Sequence, residues 1–413
     1  MKFSNDSEKL MTLSMNDFSI FLKKPPARNN AFNKIIKKFH KEILESDKFI
    51  KNEWLSNKVK VTLREGHKPN VKHASLLNSS YIPDMIKTYI MRNIKGSILY
   101  ETTISGKKIK LILYLMNNNQ FGELRQFDIL VHKMFTWLKF ASKYSRSVCA
   151  QTMDIHCYLT PIKKTLPRSE YISLSPKHVN TAVTTTCAVN GEICLFRSEE
   201  LFKVFIHETF HTLGLDFSTS STTELNRKMM NLFPINSEFN LFEAYTEFWA
   251  STMNCLFTAY YLVDDKKNMD EFLLYADYCI NYEQFFSLLQ CVKTLDFMGL
   301  KYTNIFENDD FSVNARRYLY KEKTNVFSYY IVKTILLYNN RDFIMWCKKN
   351  NDNIISFTQT PHNLSNFFRF IEKFYKKKGF LKDIKKMEVL LKRIKKSDSI
   401  LKNTMRMTII ETV

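Results

Sequence analysis

Residues 181–214 switch from a strand-like to a helical pattern within one short stretch, and this constrains the fold more than any other feature of the sequence. Residues 181–189 are rich in β-branched side chains, Asn190-Gly191 reads as a two-residue turn, and residues 192–196 return as a strand. Ser198 then offers an N-cap, with Glu199 and Glu200 in the first turn, where the helix dipole favours carboxylates. A helix running to Leu213 follows, and Gly214 is a good terminator. The expected order is strand, turn, strand, helix.

The helix carries His207-Glu208-Thr209-Phe210-His211. Positions i and i+4 lie one above the other, so both imidazoles can be presented to one point, as a zinc ion requires. Glu208 sits one residue round the helix. From there it cannot bind the metal comfortably but can reach a water at the metal, the place of a general base in hydrolysis. Phe202, Phe205, Ile206 and Leu213 make the other face apolar, as docking on a core demands.

A third ligand must come from elsewhere. In the extended pattern HExxHxxGxxH the last histidine falls on Phe217, which cannot ligate, and Asp216 is one residue early. A second helix beginning near Asn240 supplies Glu243 and Glu247, four residues apart and set among Leu241, Phe242, Phe248 and Trp249. Burying two carboxylates there is costly unless each is compensated. A zinc ion on Glu243 and a ligand histidine N–H on Glu247 would do so, although the two roles can also be exchanged.

This pair of motifs resembles the gluzincin branch of zinc peptidases, in which HExxH is completed by a glutamate on a second helix. The resemblance covers about residues 180–255. It implies an α+β fold with a zincin-like catalytic core: a small mixed sheet, an active-site helix and a glutamate helix. It further implies one catalytic Zn2+ held by His207, His211 and Glu243, with Glu208 as base, Glu247 behind the ligands and a peptide or protein as substrate. An edge strand ahead of the helix binds extended substrate in that family, a part that residues 192–196 could play. Phe242 stands where the family has Asn before the third ligand. No polarising Tyr or His stands out; Tyr318, Tyr320, His362 and Arg316-Arg317 are candidates. Residues 190–218 also resemble uncharacterised HExxH proteins of giant DNA viruses, and the Lys/Asn/Ile/Phe-heavy composition suits an AT-rich genome.

The remainder is mapped more coarsely. With 413 residues, two or three packed units are expected: a flexible segment 1–30 ending in Lys23-Lys24-Pro25-Pro26, a mixed region 31–100, the catalytic core 101–264 and a helical C-terminal domain 265–413. Strands are expected at 59–63, 108–115 and 147–160, and helices at 32–50, 127–144, 326–338 and 380–401. Only 8 Gly are present and no GxGxxG, which argues against dinucleotide and phosphate-loop sites. The 8 cysteines form no CxxC pair and read as buried thiols of a reducing, intracellular compartment. His132, His156 and His178 read as structural. The apolar run 248–263 follows two glutamates and reads as a buried helix rather than a membrane span.

Net charge is +20, and residues 373–402 hold 12 Lys/Arg against 3 Asp/Glu. The basic terminal helix is expected to dock through Ile384, Met387, Leu391 and Ile394, leaving lysines that could contact nucleic acid or an anionic surface. A structural or interaction protein on an inactive zincin scaffold, such as a virion-associated one that contacts nucleic acid, is the competing functional class.

Overall fold

A computed structural model describes residues 2–21, 30–65, 75–117, 120, 122, 124–396 and 400–412; the Lys23–Pro26 stretch lies outside them. Six strands form one sheet: β1 (Lys60–Glu65), β2 (Gly96–Ile104), β3 (Lys107–Leu115), β4 (Thr152–Tyr158), β5 (Ala182–Thr184) and β6 (Asn190–Leu195). Their spatial order is β1-β2-β3-β4-β6-β5. β3, β4 and β6 pair in parallel, whereas β1 with β2, β2 with β3 and β5 with β6 pair antiparallel.

The helices are α1 (Asn5–Phe21), α2 (Asn30–Leu55), α3 (Asp84–Asn93), α4 (Leu124–Ser142), α5 (Pro176–Val179), α6 (Leu201–Thr212), α7 (Thr223–Leu232), α8 (Leu241–Leu262), α9 (Met269–Phe297) and α10 (Asp310–Leu319). A π-helical stretch, Phe327–Val332, then runs into α11 (Lys333–Tyr338), followed by α12 (Asn340–Asn350), α13 (Pro361–Phe374) and α14 (Lys378–Lys395). The chain is thus a mixed α and β protein whose second half is mainly helical.

Alternation dictates how the sheet is clothed. Leu111 of β3 lies level with Ile155 of β4, which lies level with Ile193 of β6, and Leu113, Cys157 and Leu195 form the next row. These side chains join the main core, with Trp137 of α4 and Phe205 of α6. The opposite face carries Tyr114, Tyr158, Cys194 and Phe196, covered by Ile86 and Ile90 of α3 in a smaller cluster. α6 is thereby clamped between the sheet and α8, whose residues 248–262 are almost all buried. No described helix is long and apolar enough to cross a membrane.

Several expectations are corrected. Residues 5–21, read as flexible, form a helix because Leu10, Met11, Ser14 and Phe18 make one buried face; Phe18 stacks on Tyr282 of α9 with ring centroids 4.0 Å apart. One apolar cluster runs from Leu10 to Ile410 across the expected spans, and β2 continues through the 100/101 boundary. Asn190-Gly191 is not the turn but the start of β6, paired with Thr152 and Met153. Nor is Ser198 the cap of α6. Its hydroxyl donates to the Thr160 carbonyl (3.1 Å), and the helix begins at Leu201 after Glu200 in left-handed backbone, φ 60°. Glu200 instead pairs with Lys164 and accepts the backbone N–H groups of Met407 (2.6 Å) and Thr408 (2.5 Å). Cys149 and Cys187 are bonded to each other rather than free, because Cys187 (φ 44°) turns back beside Cys149; the other six are buried thiols as expected.

Two glycines let α6 come this close. A Cβ on Gly191 would stand 2.6 Å from Cγ2 of Thr212. At Gly214 the backbone has φ 67°, and a Cβ would meet Sγ of Cys149 at 2.9 Å. Gly191→Ala is expected to lower stability to urea by about 1–3 kcal/mol through overpacking. Gly214→Ala adds a left-handed penalty of about 1–2 kcal/mol, and unchanged unfolding midpoints would contradict this packing.

Candidate metal centre

α6 and α8 meet with their histidines and glutamates face to face. Nε2 of His207 and Nε2 of His211 are 3.1 Å apart. Oε2 of Glu243 lies 3.1 Å from the first and 3.4 Å from the second. Ligand atoms at the corners of a tetrahedron with bonds of about 2 Å are about 3.3 Å from one another. The three atoms therefore have the spacing of a shared ion, and His207, His211 and Glu243 form a group that could hold one.

The surroundings of these atoms point the same way. Oε2 of Glu243 is buried and accepts no hydrogen bond, which would be costly for a carboxylate oxygen left bare. Its other oxygen accepts from Nδ2 of Asn325 (3.1 Å), whose Oδ1 in turn accepts from Nδ2 of Asn240 (2.9 Å). One oxygen is thus tied back and the other aimed at the histidines.

Each imidazole also has a carboxylate behind it. Nδ1 of His211 bonds Oδ2 of Asp216, whose Oδ1 accepts the N–H (3.0 Å) and hydroxyl (2.6 Å) of Ser218. Nδ1 of His207 lies 2.8 Å from Oε1 of Glu247, off the line of a good hydrogen bond. Such partners set the tautomer and orient the ring, leaving Nε2 for a metal. Asp216 thus falls beside His211, because Gly214 reverses the chain just after α6.

Lys203, one helical turn before His207, was not singled out from the sequence. Its ammonium donates to both oxygens of Glu247 and is almost wholly buried. Lys333 lies 3.9 Å from the same carboxylate. Neither lysine had a motif to mark it; only the i−4 spacing of Lys203 from His207 could have done so.

Electrostatics follow from this crowding. Burial would raise the Glu243 carboxyl, but His211 and His207 beside it win and bring it down to about 2. Burial likewise opposes ionisation of Glu247, and Lys203 foremost holds it well below the usual range. Desolvation pulls both imidazoles down, yet Asp216 and Glu243 lift His211 well above its ordinary value, and Glu243 and Glu247 lift His207. Glu208 differs: burial pushes it up, and the two histidines only partly offset that. Four carboxylates converge on two imidazoles, a setting that favours an added positive charge.

The group opens onto a cleft of about 680 Å³ that Glu208 also lines. One wall is β5, with Ala182, Val183 and Thr184; the other carries Phe242, Asn325 and Tyr329. β6 lies inside the sheet, so residues 192–196 are not the exposed edge, and β5 takes that position. Of the polarising candidates none lines this cleft: Tyr318 is exposed, the Tyr320 hydroxyl bonds Glu322, and Arg316 bonds the Asn304 carbonyl. Tyr329 does line it, its ring 6.0 Å from that of His207, placed by a π-helical turn that periodicity does not announce. His132, His156 and His178 lie off the cleft, each beside a partner: Asp47, Tyr114 and Ser175.

No family model matches the chain, and no solved structure matches it. An uncharacterised protein of Acanthamoeba polyphaga mimivirus, R210, is 37% identical over 79 residues, which is 19% of this chain and 20% of that protein. The chain therefore spans about a fifth of the length of the curated relative it matches.

If the group holds a divalent metal, Asp216→Asn is expected to weaken its binding by about 10–100-fold in a chelator-competition titration, since a carboxylate behind a metal-bound imidazole is worth that much. Lys203→Met leaves Glu247 without its closest cation and should destabilise the fold by about 3–5 kcal/mol. Unaltered affinity in the first variant and unaltered stability in the second would contradict these assignments.

Proposed function

We propose that the chain is a zinc-dependent metallohydrolase, and specifically a peptidase of gluzincin type. One observation carries this reading above others: His207, His211 and Glu243 converge on a single point while Glu208, on the same helix, faces the cleft beside them. A site kept only for structure has no use for a buried carboxylate at that position. Zinc suits two imidazoles and one carboxylate, a donor set that leaves a fourth position open for chemistry.

A bound zinc ion supplies Lewis acidity, which makes water a competent nucleophile near neutral pH and polarises a carbonyl. The protein's own groups perform the rest. Extended substrate lies along the free edge of β5 and accepts backbone hydrogen bonds from it. Glu208, its carboxyl raised by burial, takes a proton from the attacking water and passes it to the leaving amine. Tyr329, across the cleft, donates its hydroxyl to the oxygen on which negative charge develops. Asn325 keeps Glu243 presenting a single oxygen.

The test uses the zinc-loaded full chain and a mixture of fluorogenic peptides. Glu208→Gln is expected to lower kcat at least 10²-fold, roughly the contribution of a positioned base, with zinc content unchanged. Tyr329→Phe should lower kcat by about 10²–10³ while KM stays near the parent value. Full turnover in Glu208→Gln, or no cleavage by a stoichiometrically loaded parent protein, rejects the peptidase.

A further inference from the structure

The excess of positive charge has a definite shape on this molecule. α14 packs on α9, burying Phe380, Ile384, Met387, Leu390, Leu391 and Ile394. Its opposite side carries Lys378, Lys382, Lys385, Lys392 and, at the C-cap, Lys396, all exposed. Steps of four, three, seven and four residues place them on one line along the helix. At 1.5 Å per residue that line is about 27 Å long. Val389 is the one apolar residue set in it, 61% exposed.

Neighbouring cations are already engaged, whereas among the described residues these five form no ion pair. Lys386, Arg393 and Lys395 pair with Asp383, Asp17 and Asp296. Among the described residues no carboxylate lies within ion-pairing distance of the five in the row. The row also begins where cations are least welcome. Lys376, Lys377 and Lys378 are exposed at the N-terminal end of α14, the positive end of its dipole, and Lys377 provides no side-chain cap. Lysines there destabilise the helix unless an anion joins them.

We propose that this face of α14, with the turn before it, is a docking surface for the phosphate backbone of nucleic acid, bound without regard to base sequence. A straight row of one sign along the helix fits a linear polyanion. A lipid surface fits less well: the apolar face of α14 is committed to α9, and the row offers only Val389 for insertion. Lysines rather than a fork of arginines suit point contacts to phosphates rather than reading of base edges. The proposal is independent of the metal centre.

Fluorescence anisotropy of a labelled 20-base-pair duplex of arbitrary sequence, with the full chain, tests it. If about four phosphates are neutralised, affinity falls on the order of 100-fold between 50 and 200 mM salt. The variant K382Q/K385Q/K392Q should bind at least tenfold more weakly at 50 mM and lose only about 3–4-fold over the same range. The positions are solvent-exposed, and an unchanged circular-dichroism melt shows that the fold is retained. A parent protein that does not bind the duplex, or a variant with unaltered affinity and salt slope, overturns the proposal. Tighter binding to phosphatidylserine vesicles than to duplex at equal salt, lost in the same variant, overturns it in favour of a lipid surface.

Discussion

Charge buried between α6 and α8 is the constraint around which the molecule is organised. His207, His211, Glu208, Glu243, Glu247 and Asp216 are packed beside a core of Phe210, Phe217, Phe248 and Trp249. Leaving any of these ions without a partner costs several kcal/mol. Lys203 answers Glu247, Ser218 answers Asp216, and Asn325 answers one oxygen of Glu243. The other oxygen of Glu243 has no such answer. A cation at the point it shares with the two imidazoles would supply one.

The partners are drawn from distant parts of the chain, which explains the shared core. Asn325 and Lys333 come from the helical second half, while residues 404–410 thread back through the molecule to cap Glu200 and Glu283. Tyr330 donates to the Met405 carbonyl, and Asn254 of α8 to that of Ile410, both at 2.7 Å. The second half of the chain therefore does more than cover the sheet; it holds the back of the His207–His211–Glu243 group in place.

Much of this was legible in the residues. The i, i+4 spacing of His207 and His211, and of Glu243 and Glu247, placed each pair on a helix face, and alternation in residues 109–115 announced β3. The helical second half and the docking face of α14 were legible for the same reason, periodicity. What escaped was non-local. Asn190-Gly191 looked like a turn because the pair favours one, but close approach of Thr212 uses the glycine inside a strand. Ser198 looked like a cap, yet tertiary bonds claimed Ser198, Glu199 and Glu200 first. Lys203, Asn325 and Tyr329 belong to no motif, since their value arises only when separate elements meet. The cysteine pair was missed because Cys149 and Cys187 are 38 residues apart and brought together by backbone reversal.

X-ray absorption at the zinc edge of the purified, zinc-loaded chain bears most directly on the centre. Two imidazole nitrogens and one or two oxygens at about 2.0 Å are the expected shell, with one imidazole lost in His211→Ala. A shell containing sulfur, one made of oxygen alone, or a protein that takes up less than one zinc per chain would contradict it.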